Sequence, residues 1–550
     1  MNNLNFLVDV LKDSPVFKTL EKNVKPGRTV CASGLSTINK SNIIYALCCL
    51  KGVTAFCLAS DEKEAQTLCN DLSCMGLRAY VYPVRDFNFL DFQSRSHEYE
   101  HARLKVLLKL INHECDVAIA CVDAAAQLTV PRNVLEQSVI EFEEGRELSL
   151  EKATKALTLL GYERFDAVEG SGQFSLRGGI LDFFMPDSDY PVRCEFWGDE
   201  ITDLSYFDIE TQRRFKKADK ITLSPSTEIV IEDRAALADK IEHKAKLLRS
   251  KNSAKAKEKL FSEAELIRSG AMIANADKFI NQIYDKPESL FDYLDRNTLV
   301  FASEFTAIQE RGKSMDFISN ETLMQGFEDG TLCRGFDRFA LTFNECTEFL
   351  QSHGTIVLEN FVHGSMPIKL SEIISFSTKQ LSAWGGSYKQ LKEDVDGLFT
   401  PESKGVIFAG TERAAKNLCD TFNADGINAV YSEGADKISK GELLVMQGAL
   451  SAGFEYPSQK FFAITYSQVS YRPEKSKKKK KKTGQEIYSL SELAPGDYVV
   501  HNVHGIGVFG GIRKIDTHGV IKDYIKIDYA KGDVLYVCLL YTSPSPRDTR

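Results

Sequence analysis

Three short patterns in the chain carry residue types at spacings that could do chemistry. Gly34-Leu35-Ser36-Thr37-Ile38-Asn39-Lys40-Ser41 fits the phosphate loop G-x-x-x-x-G-K-[ST] at every fixed position but one. In such a loop the backbone N–H groups close around phosphate, the lysine reaches the outer phosphates and the hydroxyl meets magnesium. Asn39 stands where the second glycine belongs, and a side chain there hinders the cradle. A working site also needs a carboxylate at the end of another strand to organise magnesium. The matching stretch, Leu299 to Glu304, has Ser303 in that place, followed by Glu304. Gly34, Asn39, Lys40 and Ser41, with Ser303 and Glu304 as the acidic box, therefore read as a degenerate nucleotide loop that keeps a fold without turnover.

His97-Glu98-Tyr99-Glu100-His101 fits H-E-x-x-H, which on a helix holds zinc with two imidazoles beside a general base. The longer metalloprotease pattern fails, because Leu104 and Leu107 occupy its glycine and third-histidine positions. The bland reading is a solvated, charged helix start, and a zinc-dependent hydrolase is kept as the alternative function. Gly505-Ile506-Gly507-Val508-Phe509-Gly510 fits G-x-G-x-x-G, but a dinucleotide fingerprint must open a helix, and Ile512 to Ile515 continues a strand. These glycines read as a kink or bulge. Lys475 and Lys477 to Lys482 offer either a sequence-blind phosphate contact or an extended connector, and both readings stay open.

The elements that must position these residues are those of a multidomain α/β protein. At about 150 residues per domain, 550 residues imply three or four domains. With 43% hydrophobic and 26% charged residues there is material for several cores and no case for global disorder. The longest apolar runs, such as Ile43 to Leu50, fall short of the roughly 20 residues a membrane helix needs, and Met1 to Lys12 lacks the basic start of a signal segment. A cytoplasmic protein with no membrane partner is expected. None of the 13 cysteines forms a C-x-x-C pair, which suits reduced core residues. The net charge of -9 argues against a nucleic-acid coat over the whole surface.

From Arg28 to Cys121 apolar strands alternate with helices, the pattern of a parallel sheet. A helix opened by Ser149 and stopped at Gly161 leads into short β runs, with Gly198-Asp199 as a hairpin turn, and together these form an α+β insert. A second α/β unit is expected over 346–470, a Lys-rich linker over 471–492 and a small β module over 493–537.

Three stretches resemble one family: Gly161-Tyr162-Glu163-Arg164-Phe165; Gly172-Gln173-Phe174-Ser175-Leu176-Arg177-Gly178-Gly179-Ile180-Leu181-Asp182-Phe183-Phe184; and Tyr190 to Arg193 with Phe196 to Glu200 and Phe207 to Arg213. They are similar to the module shared by bacterial transcription-repair-coupling factors and the UvrB subunit of the excision nuclease. Leu493 to His501, His504 to Gly507, Asp523-Tyr524 and Tyr536-Val537 resemble the polymerase-interacting domain of the coupling factor, which UvrB lacks. The resemblance implies a UvrB-like degenerate P-loop α/β domain over 1–125 and 226–345, a UvrA-binding α+β insert over 126–225, a second α/β domain, and a partial β-barrel of Tudor/CarD-like type.

It further implies the RNA polymerase β subunit and UvrA as partners, with DNA engaged mainly through a C-terminal motor. By position in the motif, Arg164 and Arg177 are the expected UvrA contacts with Phe184 as apolar neighbour, since exposed arginines beside an aromatic make strong anchors. The other reading of Arg177 is a strand bridge. Val508-Phe509-Gly510-Gly511-Ile512 is the expected polymerase contact, by edge addition or packing, against the alternative that it is the module's own core. No second phosphate loop or D-E-x-H box follows Val537, so no catalytic residue, cofactor or metal is expected in this stretch. ATP and magnesium would serve the family's motor. Residues 538–550 read as translated sequencing adapter, the peptide obtained from one frame through a transposase mosaic end and its primer.

Overall fold

The computed structural model describes residues 4–85, 98–138, 140–248, 254–270, 276–330, 332–362, 366, 368–381, 388–466, 496–501, 505–517, 520–529 and 534–538. Two compact units divide the chain, Met1–Tyr471 and Arg472–Arg550.

In the first unit, a seven-stranded sheet runs in the spatial order Glu372–Ser375, Val30–Ser33, Thr355–Glu359, Leu299–Ser303, Ala55–Ala59, Val117–Cys121 and Ala79–Tyr82, and every neighbouring pair is parallel. Parallel strands covered on both faces read as unbroken apolar runs, and Val30–Ser33, Ala55–Ala59 and Val117–Cys121 are buried at each position. The expected alternation is present, with helices Thr37–Lys51, Glu62–Cys74 and Glu98–Ile111 between these strands. Local chemistry sets their ends: the Asp61 side chain accepts the Glu64 amide, and Gly52 closes the first helix in the left-handed region at φ 63°.

One expectation is corrected. Thr355–Glu359 was placed in the second α/β unit, but it lies between Val30–Ser33 and Leu299–Ser303 in the first sheet, and Glu372–Ser375 extends that sheet's edge. An apolar strand after a helix looks the same whichever sheet receives it. The second sheet begins at Lys379–Leu381 and continues through Gly453–Tyr456, Phe461–Thr465, Lys404–Phe408, Glu442–Met446 and Ala429–Ser432. The two sheets share a core. Eleven of the 15 residues of Thr37–Lys51 are buried, and its apolar side chains join a cluster with Phe301 and Leu358 of the first sheet and with Phe408, Phe454 and Phe461 of the second. Tyr456 donates its hydroxyl to Asn42 Oδ1 (2.9 Å), and Asp71 accepts the Ser451 amide and hydroxyl, each at 2.7 Å.

Between these parts, Glu163–Arg164, Gln173–Arg177, Ile180–Phe183, Val192–Trp197, Glu200–Phe207 and Arg214–Lys217 pair in sequence order, antiparallel except for the first pair. The expected turn Gly198-Asp199 is there, with Trp197 opposite Glu200. Period-2 alternation sorts the faces. Leu181, Phe183, Val192, Cys194 and Leu204 pack with Ala153 and Leu157 of helix Leu150–Leu159, while Arg177, Asp182 and Arg193 share the other face. Helices Arg234–Leu247 and Ala254–Arg268 pack together around their own core.

The second unit has four described strands, Tyr498–His501, Gly505–Thr517, Val520–Asp528 and Val534–Cys538, each antiparallel to the next. Gly505–Thr517 is strand throughout, so the glycine pattern opens no helix. The ladder shifts register between Phe509 and Ile512, where Gly511 takes φ 88°, which is the expected bulge.

Candidate functional site

Gly34 to Ser41 connects Val30–Ser33 to Thr37–Lys51, the strand-to-helix position a phosphate loop requires. Its interior is already taken by the protein. The Gly34 amide donates to the Asn360 carbonyl (3.2 Å) and the Leu35 amide to the Glu359 carbonyl (3.1 Å). Thr378 donates its hydroxyl to the Gly34 carbonyl (2.6 Å), and a Cβ on Gly34 would stand 2.2 Å from the Phe376 carbonyl oxygen. Asn39 is fully buried and accepts from Ser36 Oγ (2.7 Å), so the side chain replacing the glycine folds back onto the loop.

Lys40 is spent in the same way. Its ammonium, on a side chain 2% exposed, donates to Glu304 Oε1 (2.5 Å), Ser303 Oγ (2.9 Å) and Glu64 Oε1 (3.3 Å). Ser303 and Glu304 thus meet Lys40 of the loop. Glu64 had no local signal in the sequence, since its part depends on the packing of helix Glu62–Cys74. Burial pushes the Glu64 carboxyl up, but Lys40, Ser303 and Ser60 outweigh it and hold it below the ordinary carboxylate value. Ser41 donates to the Thr37 carbonyl and to Asp71 Oδ2, both at 3.3 Å.

Glu359 lies beneath this network, fully buried, and accepts the Phe305 amide (2.8 Å). Burial first, and then the neighbouring Glu304 carboxylate, push it up to about 7. The sign follows: between the unfolded value near 4.5 and about 7 the folded state holds the extra proton, so this group's stabilisation is complete at low pH and is lost as pH rises through about 7. Glu359→Gln keeps the acceptor and removes the titration. Its stability relative to wild type should therefore rise between pH 5 and pH 7, by at most about 1.4 kcal/mol per unit, and stay level above. Urea unfolding at pH 5, 7 and 8.5 measures this, and a pH-independent difference would contradict it.

On the α+β module, Asp182 is buried and held in a fork by Arg193, Nε to Oδ1 at 2.7 Å and Nη2 to Oδ2 at 2.8 Å. Arg177 adds a single contact to Asp182 Oδ2 (2.9 Å) from outside and keeps 52% of its side chain in solvent. It does bridge adjacent strands, but Arg193 already neutralises the aspartate, so Arg177 stays available as a surface cation. Phe184, half-buried, follows the strand Ile180–Phe183 in phase with Asp182, on the face that carries Arg177. Arg164 is exposed but registers with Phe174, whose side chain faces the core, so it is out of phase with the face that carries Arg177 and Phe184. Sequence reasoning missed Arg193 and the exposed Trp197, although counting back from the Gly198-Asp199 turn gives both positions.

In the second unit the expected contact strand divides. Phe509 is 3% exposed and forms the core with Val499 and Ile527, which corrects its choice as a surface contact. The core reading applies to it because period 2 carries Gly507 and Phe509 to the inner face. Val508 is half-exposed and lies in register between exposed Tyr498 and Asp528, with exposed Ile506 two residues before it. Gly510 has no room for a Cβ, which would meet Asp528 Oδ2 at 2.6 Å. The Ile512 side chain lies outside the described residues, but its backbone and the strand to Thr517 pair with Val520–Asp528 on one side alone among the described strands.

Of the zinc pattern, His97 and the Glu98 side chain lie outside the described residues. Glu100 accepts from Thr227 Oγ1 (2.8 Å) and the Glu228 amide (2.7 Å), and a Cβ on Gly172 would meet the His101 ring at 2.7 Å. Among the described residues no group of three or more His, Cys, Asp or Glu side chains is arranged to hold a metal, and no helix is long and apolar enough to cross a membrane. The Lys-rich linker and the final residues also lie outside the described residues.

The six-stranded module and the terminal four-stranded sheet define the class. The family model described as the UvrB interaction domain matches residues 140–229, and the CarD-like/TRCF RID domain matches residues 493–539. Across its length the chain is similar to the N-terminal region of transcription-repair-coupling factors. It is 28% identical over 543 residues to the transcription-repair-coupling factor of Bacillus subtilis, covering 96% of this chain and 46% of that protein. The factor of Staphylococcus haemolyticus is 26% identical over 476 residues (83% and 40%), and that of Staphylococcus aureus strain USA300 is 23% identical over 548 (97% and 46%). The chain spans about half the length of the curated relatives it matches. The resemblance read from the sequence is thus found again in both domain models and in the whole-chain comparisons, and a zinc hydrolase finds no support in them.

Proposed function

We propose that this chain is the docking part of a transcription-coupled repair factor, which captures UvrA on the outer face of the six-stranded module and RNA polymerase, through its β subunit, on the terminal sheet. The observation that carries the first half is Arg177, half in solvent on a sheet face whose buried aspartate is already satisfied by Arg193. With Phe184 further along the same sheet face, opposite Gln173, the arginine can make a charge-assisted anchor without leaving a buried charge behind. Support for the second half is the apolar surface of Tyr498, Ile506 and Val508 and the strand edge from Ile512 to Thr517, which suits packing or edge addition. The phosphate loop serves as structure here, with no cofactor bound and no turnover.

Retention of purified UvrA and of the polymerase β subunit by the full chain tests this. Arg177→Ala should lower UvrA retention about tenfold or more and leave polymerase retention unchanged. The substitution should change folding stability by no more than about 1 kcal/mol, because the ion pair it removes is partly solvated. Retention of neither partner by the wild-type chain would overturn the reading.

A further inference from the structure

The six-stranded module carries a tryptophan that its own packing leaves unused. Trp197 keeps 81% of its surface in solvent, more than any other large apolar side chain described. It ends the strand Val192–Trp197, in which Val192, Cys194 and Phe196 point to the core and Arg193 and Glu195 to the outer face. Period 2 therefore stands the indole on the outer face, together with Arg177 and the Arg193–Asp182 fork. Ile180, half-exposed, registers with Arg177 on one side and Glu195 on the other, so it lies between the cation and the indole. The Phe196 amide donates to the Gly179 carbonyl (2.8 Å), which brings the end of the strand beside the turn Gly178-Gly179. That turn has no side chain to cover the ring.

Single exposed apolar residues are ordinary on a protein surface, but this one stands where a docked protein must meet it. A standard interface covers about 800 Å² on each partner, a patch about 30 Å across. Arg177 and Trp197 lie two strands apart, about 10 Å across the sheet and about 7 Å along it. A partner of ordinary size seated on Arg177 thus covers Trp197 as well. The chemistry of the patch also describes what it fits. Asp182 and Arg193 neutralise each other, so with Arg177 this group carries one net positive charge and selects a carboxylate. Tryptophan and arginine are the types that dominate interface energies, and an indole buries a large area with few rotatable bonds to order.

We propose that Trp197 is the main apolar anchor for UvrA, entering an apolar pocket of the partner while Arg177 pairs with a carboxylate nearby. This rests on UvrA docking at the outer face, as proposed above, and adds the residue that carries the largest share of the affinity. Calorimetric titration of the full chain with purified UvrA tests it. Trp197→Ala should weaken binding about thirtyfold or more, a larger loss than that of Arg177→Ala, with Trp197→Phe between wild type and alanine. The melting temperature should stay at the wild-type value, because so exposed an indole adds little to the fold, and polymerase retention should be unchanged. Fluorine NMR reports the contact itself. The chain has two tryptophans, Trp197 and Trp384, so in chain labelled with fluorotryptophan the resonance missing from Trp197→Phe belongs to residue 197. Its response to replacing ordinary by heavy water should be lost when unlabelled UvrA is added. Wild-type affinity in Trp197→Ala, or a Trp197 resonance that stays open to solvent in the complex, would overturn this inference and leave UvrA docking in place. A wild-type chain that does not bind UvrA overturns both. A resonance that closes as the chain alone is concentrated assigns the face to a second copy and also overturns the inference.

Discussion

Phe509→Ala is expected to unfold the terminal sheet, and polymerase retention should disappear together with the fold. The described core of that sheet consists of Val499, Phe509 and Ile527, with Tyr529 and Leu535 partly buried against it. Truncating a buried phenylalanine costs about 3–5 kcal/mol in a well-packed core. A module with so small a core has little more than that in reserve. Ile506→Ala removes a side chain that is 68% exposed on the opposite face and should change stability by about 0.5 kcal/mol or less. Hydrogen exchange of strand Gly505–Thr517 in the full chain, measured beside polymerase retention, distinguishes the two roles. Phe509→Ala with protection intact and polymerase lost would return this residue to the contact surface.

Lys40→Ala should destabilise the first unit by about 3 kcal/mol. Removing the ammonium leaves Glu64 and Glu304 facing each other across a nearly dry site, and breaking a buried pair typically costs about 3–5 kcal/mol. The lower end applies because Glu304 keeps 28% of its side chain in solvent. Lys40→Met combined with Glu64→Gln should recover part of the loss, since the second change removes the stranded charge. Urea unfolding supplies the measurement. In a working phosphate loop the same lysine is tied to nucleotide, so saturating ATP with magnesium would raise the melting temperature of wild type and not of Lys40→Ala. No such shift is expected here, and observing one would show that the loop still binds nucleotide.

What was legible in the sequence is what local chemistry determines. Strands Ala55–Ala59 and Val117–Cys121 show as apolar runs because both faces are covered, and Arg177 shows by its place in the motif, whereas Arg193, which faces the same way across the sheet, was missed. Asn39 and Ser303 depart from the nucleotide-loop pattern at single positions. What fills the loop was not legible: Glu64, Glu359 with Asn360, and Phe376 reach it from three other segments. The sheet that Thr355–Glu359 joins was hidden for the same reason, since pairing partners are not sequence neighbours. Phe509 was misread because glycines at 505, 507, 510 and 511 erase the alternation that would have told the inner face from the outer.

The helix that follows the Gly34–Ser41 loop is a joint. In an enzyme the amino end of such a helix must stay open to receive a nucleotide, whereas Thr37–Lys51 is clamped between two sheets and closes onto Phe454, Tyr456 and Phe461. Restoring Asn39 to glycine would not reopen it, because the place of the phosphates is occupied by the carbonyls and side chains of strands that hold the architecture together. The filled loop is thus held by packing, and one substitution is far too few to open it. The same clamp means that the two α/β halves have no clean line of separation. A cut near residue 376 would lay bare the apolar cluster on both sides, so the functions of this region must be parted by point changes at its surface.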